Sequence, residues 1–151
     1  MKEILIIIIF MFIFSCKDEG KATEEEVILS INHIYTLGEC KDSSYCKFEF
    51  RIDKDSIYTK KSAISQSINL SDIKKSYLNS DFKIDSLTNL IDFKNVKNES
   101  YITDCNIVDE GCYELNISTN IREIYVKYGQ LPEEFLNLEN FLRLKRMDYE
   151  F

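Results

Sequence analysis

The chain has 151 residues, with 26 acidic and 19 basic side chains, a formal net charge of −7 and no tryptophan. An acidic chain without a basic stripe argues against nucleic acid as a partner and against peripheral docking on anionic lipid. Its bias toward Ile, Asn, Lys, Tyr and Phe is that of an AT-rich genome and carries no functional message, so the tyrosines are read as strand packing.

The first element is apolar. Ile4 to Phe14 contain no polar residue and follow Met1, Lys2 and Glu3. A helix crossing a bilayer needs ~20 apolar residues, so this run fits the hydrophobic region of a secretory signal better than a permanent span. It ends at Ile13-Phe14-Ser15-Cys16, which resembles the lipobox of bacterial lipoproteins. In that family the peptidase cuts before the cysteine, which carries acyl chains such as palmitate. The resemblance implies that residues 1–15 are a cleaved signal peptide, that Cys16 is the lipidation site, and that the protein meets the membrane through this anchor in the outer membrane. Each buried methylene is worth ~0.8 kcal/mol, and stable anchoring takes more than one acyl chain. Lys17-Asp18-Glu19 looks like the export signal that carries some Gram-negative lipoproteins to the cell surface. Residues 16–26 then read as the lipidated cysteine and a flexible charged tether, since KDEGKATEEE has nothing to bury.

Residues 27–151 are expected to form one α+β domain. Val27, Leu29, Ile31, His33, Tyr35 and Leu37 alternate as one face of a strand, which places the only histidine among apolar neighbours as a core residue. Cys46 to Asp53 alternates with Phe48, Phe50 and Ile52 inward, and a turn at Asp53-Lys54-Asp55-Ser56 returns it through Ile57 to Lys60. Ser71-Asp72 is expected to open a helix carrying Ile73, Tyr77 and Leu78. Residues 79–99 hold apolar islands that suit a short helix and a loop. Tyr113, Leu115, Ile117 and Thr119 alternate again, and a turn near Asn120 returns the chain through Ile124, Val126 and Tyr128. Pro132 and Glu133-Glu134 start an amphipathic helix with Phe135, Leu138, Phe141 and Leu142 as its stripe. The expected architecture is a small antiparallel sheet of hairpins with two helices on one face. The order of cysteine pair, Ile-Tyr-x-Lys strand and helix occurs twice, a candidate ββα pseudo-repeat.

Cys40, Cys46, Cys105 and Cys112 remain after Cys16. An even count in an exported chain reads as disulfides, and spacings of Cys-x₅-Cys and Cys-x₆-Cys suit zinc poorly. Both Cys40–Cys46 and Cys105–Cys112 span polar, turn-forming loops, which favours local pairing. Bridges between the two units compete with it and would close longer loops.

From Cys40 to Tyr58 the pattern also resembles a bacterial lipoprotein domain of unknown function, the family numbered 6438. Cys40 and Cys46 match its cysteine pair, Asp53 its turn and Tyr58 its returning strand. Tyr128-Gly129-Gln130-Leu131-Pro132 and Phe135-x-x-Leu138-Glu139 match its tail. The resemblance brings no catalytic residue with it.

No Gly-x-Ser-x-Gly, phosphate loop or Cys-x-x-Cys occurs, and a nucleophile needs a base beside it. Asp104, Asn106, Asp109 and Glu110 cluster at the Cys105–Cys112 loop but lack the Gly and bidentate Glu of a calcium loop. Asp55-Ser56-Ile57 and Asp85-Ser86-Leu87 resemble an O-glycosylation signal of some bacteria. The expectation is a non-enzymatic lipoprotein without cofactor or metal, binding a protein or glycan partner. An inhibitor or immunity lipoprotein that blocks an enzyme or toxin is the alternative, and a carboxylate-dependent hydrolase ranks third.

Overall fold

The structure is a computed structural model that describes residues 24–38, 45–63, 70–80, 83–105 and 111–149. Cys16, Cys40, Asn106, Asp109 and Glu110, the signal segment 1–15 and most of the tether lie outside these residues.

Seven strands form one sheet: β1 (Ile28–Thr36), β2 (Lys47–Asp53), β3 (Ser56–Ser62), β4 (Ile73–Leu78), β5 (Ser100–Ile102), β6 (Cys112–Thr119) and β7 (Glu123–Tyr128). Their spatial order is β4-β3-β2-β1-β6-β7-β5. All neighbours are antiparallel except β5 and β7. The mixed α+β class with an antiparallel sheet and two helices beside it is as expected. The first helix is a 3-10 helix, Ile84–Leu90, and the second is α1, Leu136–Asp148, entered through the 3-10 turn Glu133–Phe135.

Register places the inward side chains in rows that cross the sheet. Ile57, Ile52, Ile31, Ile117 and Ile124 form one row from β3 to β7, and Thr59, Phe50, His33, Leu115 and Val126 the next. These ten side chains are all buried, the isoleucine row at 0–1% exposure. β-branched residues fill the pleated surface well, and burying each Ile contributes ~1.5–3 kcal/mol. Both helices cover this face. Ile84 and Leu87 from the 3-10 helix, and Phe135, Leu138 and Leu142 from the C-terminal segment, close one core with the rows.

Three sequence expectations need correction. The segment expected to open a helix at Ser71-Asp72 is β4, an edge strand against β3. Alternation puts Tyr77 opposite Ile57 and against Tyr149 at 5.2 Å, so Tyr77 reaches the core from a strand as well as it would from a helix. The open edge of β3 decides between them, because its backbone groups gain partners. Asp72 pairs with Lys60 at 3.0 Å instead of facing a helix end. The first half of the ββα pseudo-repeat is therefore βββ. Leu29 is also 50% exposed while Ile28 is fully buried, against a continuous alternation from Val27. A bulge between Ile28 and Ser30 on β1 inserts one residue opposite β6 and reverses the phase there.

Candidate functional site

β1 runs away from the tether: Val27 follows the acidic stretch, and Thr36 lies at the far end of the sheet. The last row of inward residues at that end is Lys61, Phe48, Tyr35, Tyr113 and Tyr128, one from each of five adjacent strands. The rings stack in sequence, with centroids 6.4 Å apart for Tyr35 and Phe48, 4.5 Å for Tyr35 and Tyr113, and 5.4 Å for Tyr113 and Tyr128. Cross-strand aromatic pairs of this kind stabilise a sheet by ~0.2–1 kcal/mol each. Cations sit on two of the rings: Lys61 Nζ lies 5.7 Å from the Phe48 centroid and the Arg146 guanidinium 5.4 Å from that of Tyr35.

α1 carries Glu139 against β7 and β1, and Tyr149, just after the helix, packs against Phe50 on β2 and Tyr77 on β4. Glu139 is buried, and its Oε2 accepts from the Tyr128 hydroxyl at 2.7 Å and lies 3.0 Å from His33 Nε2. His33 stacks on Tyr113 at 5.9 Å, and its Nδ1 has no partner. The expectation of a core histidine is met in position, and its satisfaction is one-sided. Burial, then the Glu139 charge, pushes the Tyr128 phenol far above its ordinary range, and burial raises Tyr113 as well.

Sequence reasoning missed Glu139 because a helical stripe is read through its apolar members. Glu139 lies four residues after Phe135 and three before Leu142, so helical geometry places it on the buried side. That spacing was the available signal.

The cysteines frame the same end. Cys105 and Cys112 are joined, Cα atoms 5.3 Å apart, which confirms that local pair and excludes bridges from it to the first unit. Cys112 stands opposite Thr36. Cys46 is fully buried and disulfide-bonded, its carbonyl accepting from the Leu37 N–H at 2.8 Å; Cys40, the partner expected for it, lies outside the described residues. Gly111 leads into β6 at φ +82°, where a Cβ would stand 2.5 Å from the Thr36 carbonyl oxygen. Only glycine fits that approach.

The opposite end carries a broad open groove of about 1410 Å³ between the tether-proximal residues, the 88–98 segment and the start of α1. Glu24, Glu25, Asp92, Glu133 and Glu134 line it against Lys94 and Lys97. Beside it Arg122 grips Glu26 with two hydrogen bonds, 2.9 and 3.0 Å, and donates to the Val96 carbonyl. Asn120 donates to Glu25 O and accepts from the Val27 N–H, so the chain becomes fixed to the domain here.

Among the described residues no group of three His, Cys, Asp or Glu side chains could hold a metal ion, and no helix is long and apolar enough to cross a membrane. Asp104 is exposed beside Cys105. Ser86 is exposed in the 3-10 helix, while Ser56 is partly buried at the start of β3 near Asp53. No family model, curated protein or solved structure matches the chain.

Proposed function

We propose that this protein is an outer-membrane lipoprotein, anchored through Cys16, whose domain binds a protein or glycan partner without chemistry. The observation that carries this reading is polarity along β1. One end of the strand continues into the acidic tether and the Ser15-Cys16 junction. The other ends in the aromatic row, with Arg146 and Lys61 against it, Cys46 just before β2 and Cys112 at the start of β6. An anchored chain with this polarity holds its aromatic end away from the bilayer, where a partner has access. Rigid strands make a better platform for recognition than loops, and the disulfides reinforce that end.

Two experiments test the reading. Cys16→Ala should move the protein out of the membrane fraction; equal retention with normal processing would refute the anchor. Cross-linking in intact envelopes should capture a partner through the aromatic end, and Phe48→Ala should weaken that capture with the circular dichroism unchanged. Turnover of a substrate by the purified chain, with no captured partner, would overturn the binding role.

A further inference from the structure

The solvent side of α1 is apolar where a surface helix is expected to be polar. Leu136, Leu144 and Met147 are 50, 68 and 72% exposed. At ~3.6 residues per turn, these three and Asn140 fall within an arc of about 80°. Leu138 and Leu142, on the opposite side of the helix, are fully buried in the core. The helix thus has two apolar faces, one packed on the sheet and one open. Three of the eight large exposed apolar side chains among the described residues stand in this one stripe. Single exposed apolar residues are ordinary, but a contiguous row marks an interaction surface.

Charge along the helix narrows the occupant. Glu133 and Glu134 lie in the turn that enters α1, while Arg143, Lys145 and Arg146 outnumber Asp148 toward its end. Parallel pairing of two such helices sets like charges side by side. Antiparallel pairing sets each acidic start beside a basic end and opposes the dipoles. A bilayer surface would instead favour a helix that is basic along its length. The stripe also complements itself. With Asn140 on a two-fold axis, Leu136, four residues before it, comes beside Leu144 of the second copy, four residues after it. The two Asn140 amides then face each other, each able to donate and to accept a hydrogen bond, and an Asn in such a seam fixes register. The 13 residues of α1 span about 20 Å. A contact of that length falls short of a standard interface of roughly 800 Å² per partner, so the pairing is reversible.

We propose that the solvent face of α1 is a pairing surface for a second copy of this chain, the two helices antiparallel with Asn140 on the two-fold axis. Leu136, Leu144 and Met147 of each copy close over one another on either side of it. The proposal goes beyond the binding-module reading and does not depend on what the ring row recognises, because the stripe lies on the side of α1 that faces away from the sheet.

The test is disulfide trapping of the full chain in envelopes under a mild oxidant, read on non-reducing gels. Asn140→Cys should give at least fivefold more covalent dimer than Lys97→Cys, an exposed control at the tether end of the domain. Adding Leu136→Glu should lower that yield at least tenfold. Adding Leu144→Lys to the same chain should restore it to within twofold, because the new charges meet only across an antiparallel pair. Leu136 and Leu144 are exposed, so thermal melting of these variants is expected to match that of Asn140→Cys, and the restored variant separates a lost contact from a lost fold. No excess of dimer from Asn140→Cys overturns the proposal, as does a yield that ignores Leu136→Glu or is not recovered by Leu144→Lys. A cross-link from Asn140→Cys to a different protein overturns it as well. So does shielding of the introduced thiol from a water-soluble maleimide by vesicles of phosphatidylethanolamine and phosphatidylglycerol without any dimer, which would assign the stripe to lipid.

Discussion

His33 on β1 and Glu139 on α1 meet at 3.0 Å, both buried, and Tyr128 on β7 donates to the same carboxylate oxygen at 2.7 Å. This contact ties the helix to β1 and β7 at once. One carboxylate thus holds two strands and the helix in a single arrangement.

Removing Glu139 should therefore cost more than removing an apolar neighbour. Glu139→Ala leaves two buried polar groups without their acceptor, and loss of one partner of a buried pair costs ~3–5 kcal/mol. Replacing all three, as His33→Leu, Tyr128→Phe and Glu139→Leu, should recover most of that, because no orphan remains. Urea unfolding midpoints of the single and triple variants measure the difference. A triple variant as unstable as Glu139→Ala would show that packing, not pairing, sets the cost.

The bulge on β1 gives a sharper comparison between adjacent residues. Ile28 is fully buried and Leu29 is 50% exposed. Ile28→Ala should cost ~2–5 kcal/mol, and Leu29→Ala should stay within ~0.5 kcal/mol. Uninterrupted alternation from Val27 requires the reverse order, so one pair of denaturation curves separates the two registers.

These elements also show what could be read beforehand. The hairpins β2–β3 and β6–β7 were legible because alternation, turn residues and paired partners all agree. The C-terminal helix was legible for the same reason, in Pro132, the acidic first turn and the apolar stripe. β4 was not: a short stretch with apolar residues four apart fits both periods, and only the free edge of β3 selects the strand. The bulge at Leu29 is set by pairing with β6, more than eighty residues away in the chain, so local pattern holds no trace of it. At the candidate site each ring was visible as an inward residue, whereas their line-up in one row is a property of register across five strands. Glu139 was obscured by its charge, although its spacing pointed inward.

Alkaline pH offers a readout of the row. Burial first, then the Glu139 carboxylate, raises the Tyr128 phenol, and burial raises Tyr113 and Tyr125. In the unfolded chain these phenols ionise near pH ~10. The folded state then holds its protons after the unfolded state has lost them. Their contribution to stability is complete below pH ~10 and is lost as pH rises beyond it. Absorbance at 295 nm should show some of the nine tyrosines titrating normally and a late group that appears only with unfolding. Tyr128→Phe should shrink the late group by one phenol. Simultaneous titration of all the phenols before unfolding would contradict the burial of the row.

The Cys105–Cys112 bridge joins residues seven positions apart in the chain. On the chain-entropy model a loop of this size stabilises by about 2.5 kcal/mol. Its removal should do more than release entropy, because Cys112 enters β6 opposite Thr36 and Gly111 presses on the Thr36 carbonyl oxygen. A double Cys105→Ser, Cys112→Ser variant should lose more than that amount of stability in urea unfolding, with earliest hydrogen exchange at Tyr113 and Glu114 and little change at Ile117. Gly111→Ala tests the close approach separately: a side chain at φ +82° is strained, and its Cβ would stand 2.5 Å from backbone oxygen. It should therefore destabilise with the disulfide intact, which non-reducing peptide mapping would verify. If Gly111→Ala is as stable as the native chain while the double serine variant is not, the bridge acts through chain entropy alone and the packing of this end against β1 contributes nothing further.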